Sequence, residues 1–475
     1  MRFRPPFIGR IMTPSPVPAD SSTTAGARRL PATREGDSDP EPARGGTMST
    51  KTQAYPTANG RRFTLDVPPA ALAASRADPH GDNDIPPYMD YQHTDRLDNF
   101  TVMEVAGKSR CHGMHLEGLA YPITPIGMHY LLIHYDIPYI DEKSYQVKVD
   151  GLVKKKLTLD MDKLRSMPKV TIPATMECCG NGRASQKWRL WAHVPWNHDA
   201  IGTAEWTGTP LRGVLEEAGL QDSAVEILFT GRDKGIQGPP DGAEVQYFQR
   251  SLTVDYVMNP DNDVLLCYEI NGQPLPPQHG FPLRLLVPGW LGATNVKWID
   301  SIEAIDWRLT KNQMKWYSYA ENDEDPNRIP CTFEKVRAMM IPPGIPDFLC
   351  RIRHLEETDA VELRGRAWAG GLGIQSVEVS LDGGDTWSFA KLDKPFGKWA
   401  WVGWSFTWQN VTPGEYTLRC RAKDERGNMS MDDDSAHDYY AMDIPKSQYV
   451  DVNVYPKGTL TVGNKIECPV QFPSL

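Results

Sequence analysis

The sequence predicts an α+β domain followed by an all-β, immunoglobulin-like sandwich. Three observations carry this. Between residues 144 and 287, short apolar strands mix with brief helical stretches, and Pro and Gly separate them. Beyond Pro342-Pro343-Gly344-Ile345-Pro346 the pattern changes to evenly spaced strands of period two. The chain has 475 residues, more than one hydrophobic core accommodates. The expected division is an extended or disordered arm over 1–100, the α+β domain over 101–340 and the sandwich over 341–475.

Residues 1–100 are rich in Pro, Asp and Arg and poor in apolar periodicity, which suits an arm rather than a core. Ser144 to Leu152 alternates as a strand, with Tyr145, Val147 and Val149 on one face. Thr158 to Met167 reads as a short helix closed by Pro168. Leu211 to Ala218 reads as another, between Pro210 and a Gly219 stop. Val225 to Thr230, Val264 to Tyr268 and Leu283 to Val287 are apolar strands, so the chemistry falls on the loops between them. Composition also shifts at the acidic run 320–326. In the sandwich, Val361 to Trp368, Ser376 to Leu381, Trp399 to Trp408 and Tyr416 to Ala422 alternate. Asp382-Gly383-Gly384 and Thr412-Pro413-Gly414 mark the turns.

The net charge of -10, with no concentrated basic face, argues against a nucleic-acid partner. The 8 cysteines lack paired spacing, which argues against a disulfide framework and suits a reducing compartment. No apolar run is long enough to span a membrane. The first 47 residues lack the apolar centre of a secretory signal, and Met48 is an alternative start. A cytoplasmic location is expected, mitochondrial if the Arg-rich start is a transit segment.

The stretch Thr175-Met176-Glu177-Cys178-Cys179-Gly180-Asn181-Gly182-Arg183 follows the β-branched run Val170-Thr171-Ile172, a strand leading into a loop. Gly180 and Gly182 permit sharp turns and close approach. Adjacent thiols beside an arginine point to a soft-metal or reactive-thiolate site, with two packing cysteines in a tight turn as the plain alternative.

This stretch resembles the molybdenum-ligand loop of the sulfite oxidase family, T-x-x-C-x-G-N-x-R. The resemblance continues at Gly202 to Leu211, is densest at Tyr268 to Pro276 and His279 to Arg284, and runs through Pro288-Gly289-Trp290 to Val296-Lys297-Trp298. It implies a molybdenum–molybdopterin cofactor with Cys178 as the metal ligand and Cys179 as a packing residue. It puts His134, Asp233, His279, Arg284, Asn295, Val296 and Lys297 in the cofactor-binding set. It makes Tyr317 the active-site tyrosine, with Tyr319 as rival, and Arg183 a catalytic cation. Taken alone, Arg183, Arg284 and Lys297 read as solvated charges, and His134 as a satisfied structural histidine. The sandwich resembles a dimerisation domain, its Val379 to Trp387 block included, so a homodimer is expected. No His-Pro-Gly-Gly haem signature occurs, so no haem domain is expected.

The sequence departs from the family at the substrate side. Leu132 stands where sulfite-oxidising members carry the arginine of R-N-H. Gly182 replaces the first arginine of N-R-R, and the sandwich arginine expected near Gly370 to Gly373 is missing. The leading reading is oxidation of sulfite, or a related small anionic sulfur compound, with water as oxygen source and an external acceptor such as a cytochrome. The alternatives keep the cofactor and change the substrate to carrier-bound sulfane sulfur, a sulfoxide or nitrate, or make the chain a non-catalytic binding protein.

Overall fold

Alternating side chains build two sheets in the first domain. In Gln146–Gly151, Val147 and Val149 are buried while Gln146 and Lys148 face water, the pattern of a half-buried strand. The strand sits inside a five-stranded sheet ordered Glu244–Thr253, Glu226–Gln237, Ile299–Ile305, Gln146–Gly151, Leu157–Asp160. Its pairing with Ile299–Ile305 is parallel and the other pairings are antiparallel. A second sheet runs Gln273–Pro274, Leu265–Ile270, Ile201–Pro210, Val170–Glu177, with Arg284–Leu286 also paired to Leu265–Ile270. The computed structural model describes residues 53–56, 62–65 and 111–460, except 186–193, 195, 238–243, 323, 349–351, 431–441 and 444–446. All of these lie in the unit Thr50–Leu475. The arm expected over 1–100 falls outside the described residues, apart from the antiparallel pair Gln53–Pro56 and Arg62–Leu65.

The helix expected from Thr158 to Met167 needs correction. Leu157–Asp160 is an edge strand, with Leu157 and Leu159 buried and Thr158 and Asp160 exposed, and the helix covers only Met161–Ser166. Asp160 caps it by accepting from Lys163 N at 2.7 Å, so the period-two signal won the first turn. Leu211–Ala218 forms as expected and buries Leu211, Val214, Leu215 and Ala218. These helices cover a core of Val147, Val149, Leu164, Phe229, Ile302 and neighbours.

The sandwich stacks a four-stranded sheet (Arg337–Met340, Thr358–Trp368, Val402–Val411, Lys391–Leu392) on a six-stranded one. The latter is ordered Ile345–Pro346, Arg353–Glu356, Tyr449–Tyr455, Gly414–Asp424, Ile374–Ser380, Ser388–Phe389. Leu363, Trp404, Val377, Leu418 and Val452 fill the space between. Arg337–Met340, counted above with the first domain, pairs with Thr358–Trp368 and so belongs to the sandwich. The sandwich also grips the strand that leads to Cys178. Thr175 N donates to Trp399 O at 2.9 Å, and Trp401 N donates to Thr175 Oγ1 at 2.8 Å.

Candidate functional site

Val170–Glu177 runs further than its β-branched start suggests and delivers Cys178 directly from its C-terminal end. The loop that follows is held from inside. Asn181 N donates to Cys178 O (2.9 Å), Cys178 N to Ala200 O (2.9 Å), and Ala200 N to Asn181 Oδ1 (3.1 Å). Gly182 takes φ 83°, which turns the chain into a short 3-10 turn at Arg183–Ser185. Cys178 and Cys179 are both free thiols and both buried.

Glu177 anchors the loop from behind. Its carboxylate accepts from Trp368 Nε1 (2.8 Å) and Asn181 Nδ2 (2.9 Å) and pairs with Arg337 (2.9 Å). Arg337 also pairs with Asp443 (2.8 Å), which takes Lys335 (2.8 Å) and the Tyr319 hydroxyl (2.7 Å) as well. Glu334 accepts from Glu177 N at 3.0 Å, and burial next to Glu177 raises its carboxyl well above the usual range.

In front of Cys178 lies a small cavity of about 50 Å³. Cys178, Cys179, His134, Asp233, His279, Arg284, Asn295, Lys297 and Tyr317 line it, so residues spread over much of the chain meet at one place. The sequence-predicted Tyr317 is on this wall and accompanies His134, whose Nε2 meets the Tyr317 hydroxyl. Tyr319 lines a separate cavity and is spent on Asp443. Leu132 is on the wall too.

Two expected members are not on it. Val296 packs in the core, with its N–H given to Thr294 O and its C=O accepting from Leu285 N. Arg183 folds back over Gly180, donates to Val194 O (2.7 Å) and touches Met442 Sδ (3.6 Å). Conversely, His129 and Tyr130 line the cavity without having been singled out. They sit on the same short segment as His134, but no periodicity marks that segment. Among the described residues His129 Nε2 has no hydrogen-bond partner.

The electrostatics of the wall are lopsided. Arg284 is buried and donates only to His279 O (3.0 Å), Asn295 O (3.2 Å) and Met176 Sδ (3.5 Å), while its Nε is unpartnered among the described residues. Its guanidinium stacks over Trp206 at 4.7 Å. Lys297 donates to Leu132 O (2.8 Å) and Gln278 O (3.0 Å). Trp298 holds it there. Trp298 adopts φ 50°, a strained left-handed conformation, and anchors its indole to Pro277 O at 2.8 Å. Burial, with Arg284 adding to it, brings Lys297 down to about 7, against the pull of Asp233. Burial lifts Asp233 to about 6, opposed by Lys297. Burial also keeps His129 and His134 neutral, at about 3 each. The Cys178 thiol is pushed up to about 12 by burial and by Cys179, so a thiolate here needs a cation close by.

Residues 134–313 match the oxidoreductase molybdopterin binding domain, and residues 345–442 match the Mo-co oxidoreductase dimerisation domain. The chain is 33% identical over 320 residues to sulfite oxidase of Arabidopsis thaliana, covering 59% of this chain and 75% of that one. It is 32% identical to sulfite oxidase of Gallus gallus, covering 65% and 68%. It is 30% identical to NADH nitrate reductase of Ulva prolifera, covering 64% of this chain but only 37% of that longer protein. In fold it is similar to sulfane dehydrogenase SoxCD from Paracoccus pantotrophus, at TM-score 0.63, 23% identity and 75% of this chain against 90% of that one.

The chemistry of this lining suits a molybdopterin. Such a group brings a phosphate and sulfur donors, and this wall offers a buried guanidinium with an unpartnered Nε, a buried ammonium beside an Asp233 carboxyl that burial weakens, and a buried thiol that a metal would ionise. Among the described residues no helix is long and apolar enough to cross a membrane. The protein carries a molybdopterin-binding oxidoreductase domain and a dimerisation domain, and it belongs to the sulfite oxidase family of molybdopterin-dependent enzymes.

Proposed function

We propose that the chain oxidises a small sulfur compound, with sulfite as the type substrate, and passes the electrons to an external acceptor such as a cytochrome. In that reaction sulfite gains the oxygen of one water, and two electrons and two protons leave. When bound, the cofactor supplies the oxygen-atom transfer and stores the electrons. The residues of this chain have separate tasks. Cys178 holds the metal. Arg284, Lys297, His279, His129 and Asn295 hold the organic part, with Arg284 and Lys297 meeting its negative charge. Tyr317 keeps its proton, since burial raises its phenol well above the ordinary value. It therefore serves as a hydrogen-bond donor at the cavity, oriented by His134.

The observation that carries the reading is the convergence of Cys178, Tyr317 and this cationic wall on one cavity. The relatives of similar length, the two sulfite oxidases, support sulfur as the reacting element. Leu132 favours a second reading. An apolar side chain where a guanidinium would bind a dianion fits a less charged or carrier-borne sulfur compound. We further propose that the chain acts as a homodimer through its C-terminal domain.

The test is molybdenum content together with sulfite-dependent reduction of cytochrome c or ferricyanide. Wild type should hold about one molybdenum per chain. Cys178→Ser should lose all turnover. Full molybdenum with no sulfite turnover, but turnover of a persulfide on a carrier thiol, would decide for the second reading.

A further inference from the structure

One fully buried arginine, Arg250, has no part in the reading so far. It lies on the Glu244–Thr253 strand and is 0% exposed. Among the described residues it pairs with no carboxylate, and its Nε has no hydrogen-bond partner. The two Nη atoms make three hydrogen bonds. Nη1 donates to Gln313 O (2.9 Å), and Nη2 donates to Thr294 Oγ1 (3.0 Å) and Cys331 O (2.8 Å).

These acceptors are not arbitrary. Gln313 O also accepts the N–H of Tyr317 (3.1 Å), and the N–H of Cys331 donates to Tyr317 O (2.9 Å). Both backbone groups of Tyr317 thus bond to residues that Arg250 holds. Thr294 closes the Gly292–Thr294 turn, whose Gly292 and Ala293 line the same cavity. The strand helps in two further ways. Gln249 N donates to Gln313 Oε1 at 2.7 Å. Phe248 packs against the His134 ring at 4.8 Å, and His134 is the partner of the Tyr317 hydroxyl.

We propose that Arg250 is a positioning residue that fixes Tyr317 at the cavity by tying together the segments on either side of its backbone. The inference rests on the proposed role of Tyr317. A planar fork reaches acceptors on three separate segments at once, whereas a lysine ammonium keeps the charge but not that reach.

The test uses the full, cofactor-loaded chain with 3-fluorotyrosine placed at 317. Arg250→Lys should shift and broaden the fluorine resonance while molybdenum content stays at the wild-type level. It should lower kcat about tenfold with KM unchanged, the expected cost of a small misplacement. In a Tyr317→Phe background the same change should cost less than about twofold, because the two residues act as one unit. Thr294→Val, which removes one arm of the fork and leaves the charge, should shift the resonance the same way by less. An unmoved resonance in both variants overturns the proposal, as does an equal kcat loss in both backgrounds. If Tyr317→Phe keeps full activity, the catalytic role of Tyr317 falls, while the resonance still decides whether Arg250 holds that residue in place.

Discussion

Two groups of buried charge adjoin the Cys178 loop, and they are built on opposite plans. Behind the loop, Glu177 pairs with Arg337, and Asp443 pairs with Arg337 and Lys335, so both carboxylates are matched within the group. Facing the cavity, Arg284 and Lys297 have Asp233 as the carboxylate beside them, and burial weakens even that one. A balanced buried group is a structural fixture. An unbalanced one is costly until a matching charge arrives from outside, which is the signature of a site for an anion. The same loop thus has a rigid back, supplied partly by the sandwich through Arg337 and Trp368, and a receptive front.

The contrast predicts opposite mutant phenotypes. Arg337→Met strands the buried carboxylates of Glu177 and Asp443, each with a side chain 0% exposed. Breaking such a pair costs about 3–5 kcal/mol. Thermal melting should therefore fall by roughly 10 °C in cofactor-free and loaded protein alike, and Glu177→Gln on top should restore part of it. Unchanged melting would mean that the back of the loop is not held as argued. Arg284→Met should behave the other way. It deletes an unpaired buried cation, so melting of the cofactor-free protein should move by no more than about 1 kcal/mol in equivalent stability. Molybdenum retained after gel filtration should drop about tenfold or more, the loss expected for a charge-assisted contact. A large stability loss without cofactor would reassign Arg284 to the structural class.

Much of this was readable in the chain before folding. The sandwich strands followed from period two, and the grouping of Cys178, Arg284 and Lys297 from the resemblance to the sulfite oxidase family, not from spacing alone. What could not be read is what the fold assembles from afar. Glu177, Glu334, Arg337, Trp368 and Asp443 carry no mutual spacing, because they come together only when the sandwich closes on the first domain. Arg250 looks like one more alternating position of a strand, and nothing local says that its inward face is a loop junction rather than apolar core. His129 and Tyr130 lie on a segment with only two-residue strands and 3-10 turns, so no period exposes them. Val296 lies inside a matching block between two residues that face the cavity, while its own side chain packs in the core, a difference no spacing announces.

The last prediction concerns pH and isolates the front of the loop. Lys297 in the folded, cofactor-free chain holds its proton only up to about 7, against 10.5 unfolded. Between those values the unfolded chain binds more protons, so stability must rise with pH, by at most about 1.4 kcal/mol per unit for one group. Asp233 acts in the opposite sense and lower down. Its folded value of about 6 against 3.8 unfolded makes the folded chain bind more protons, so this contribution is lost as pH climbs through that range. Cofactor-free protein should therefore gain stability from pH 7 towards 10, and Lys297→Met should flatten that rise. In loaded protein the rise should shrink, because bound negative charge keeps Lys297 protonated. Denaturant melts of both forms at pH 7, 8 and 9 measure this directly. A slope that survives Lys297→Met would place the titrating group elsewhere and break the link between this lysine and the anion it is argued to meet.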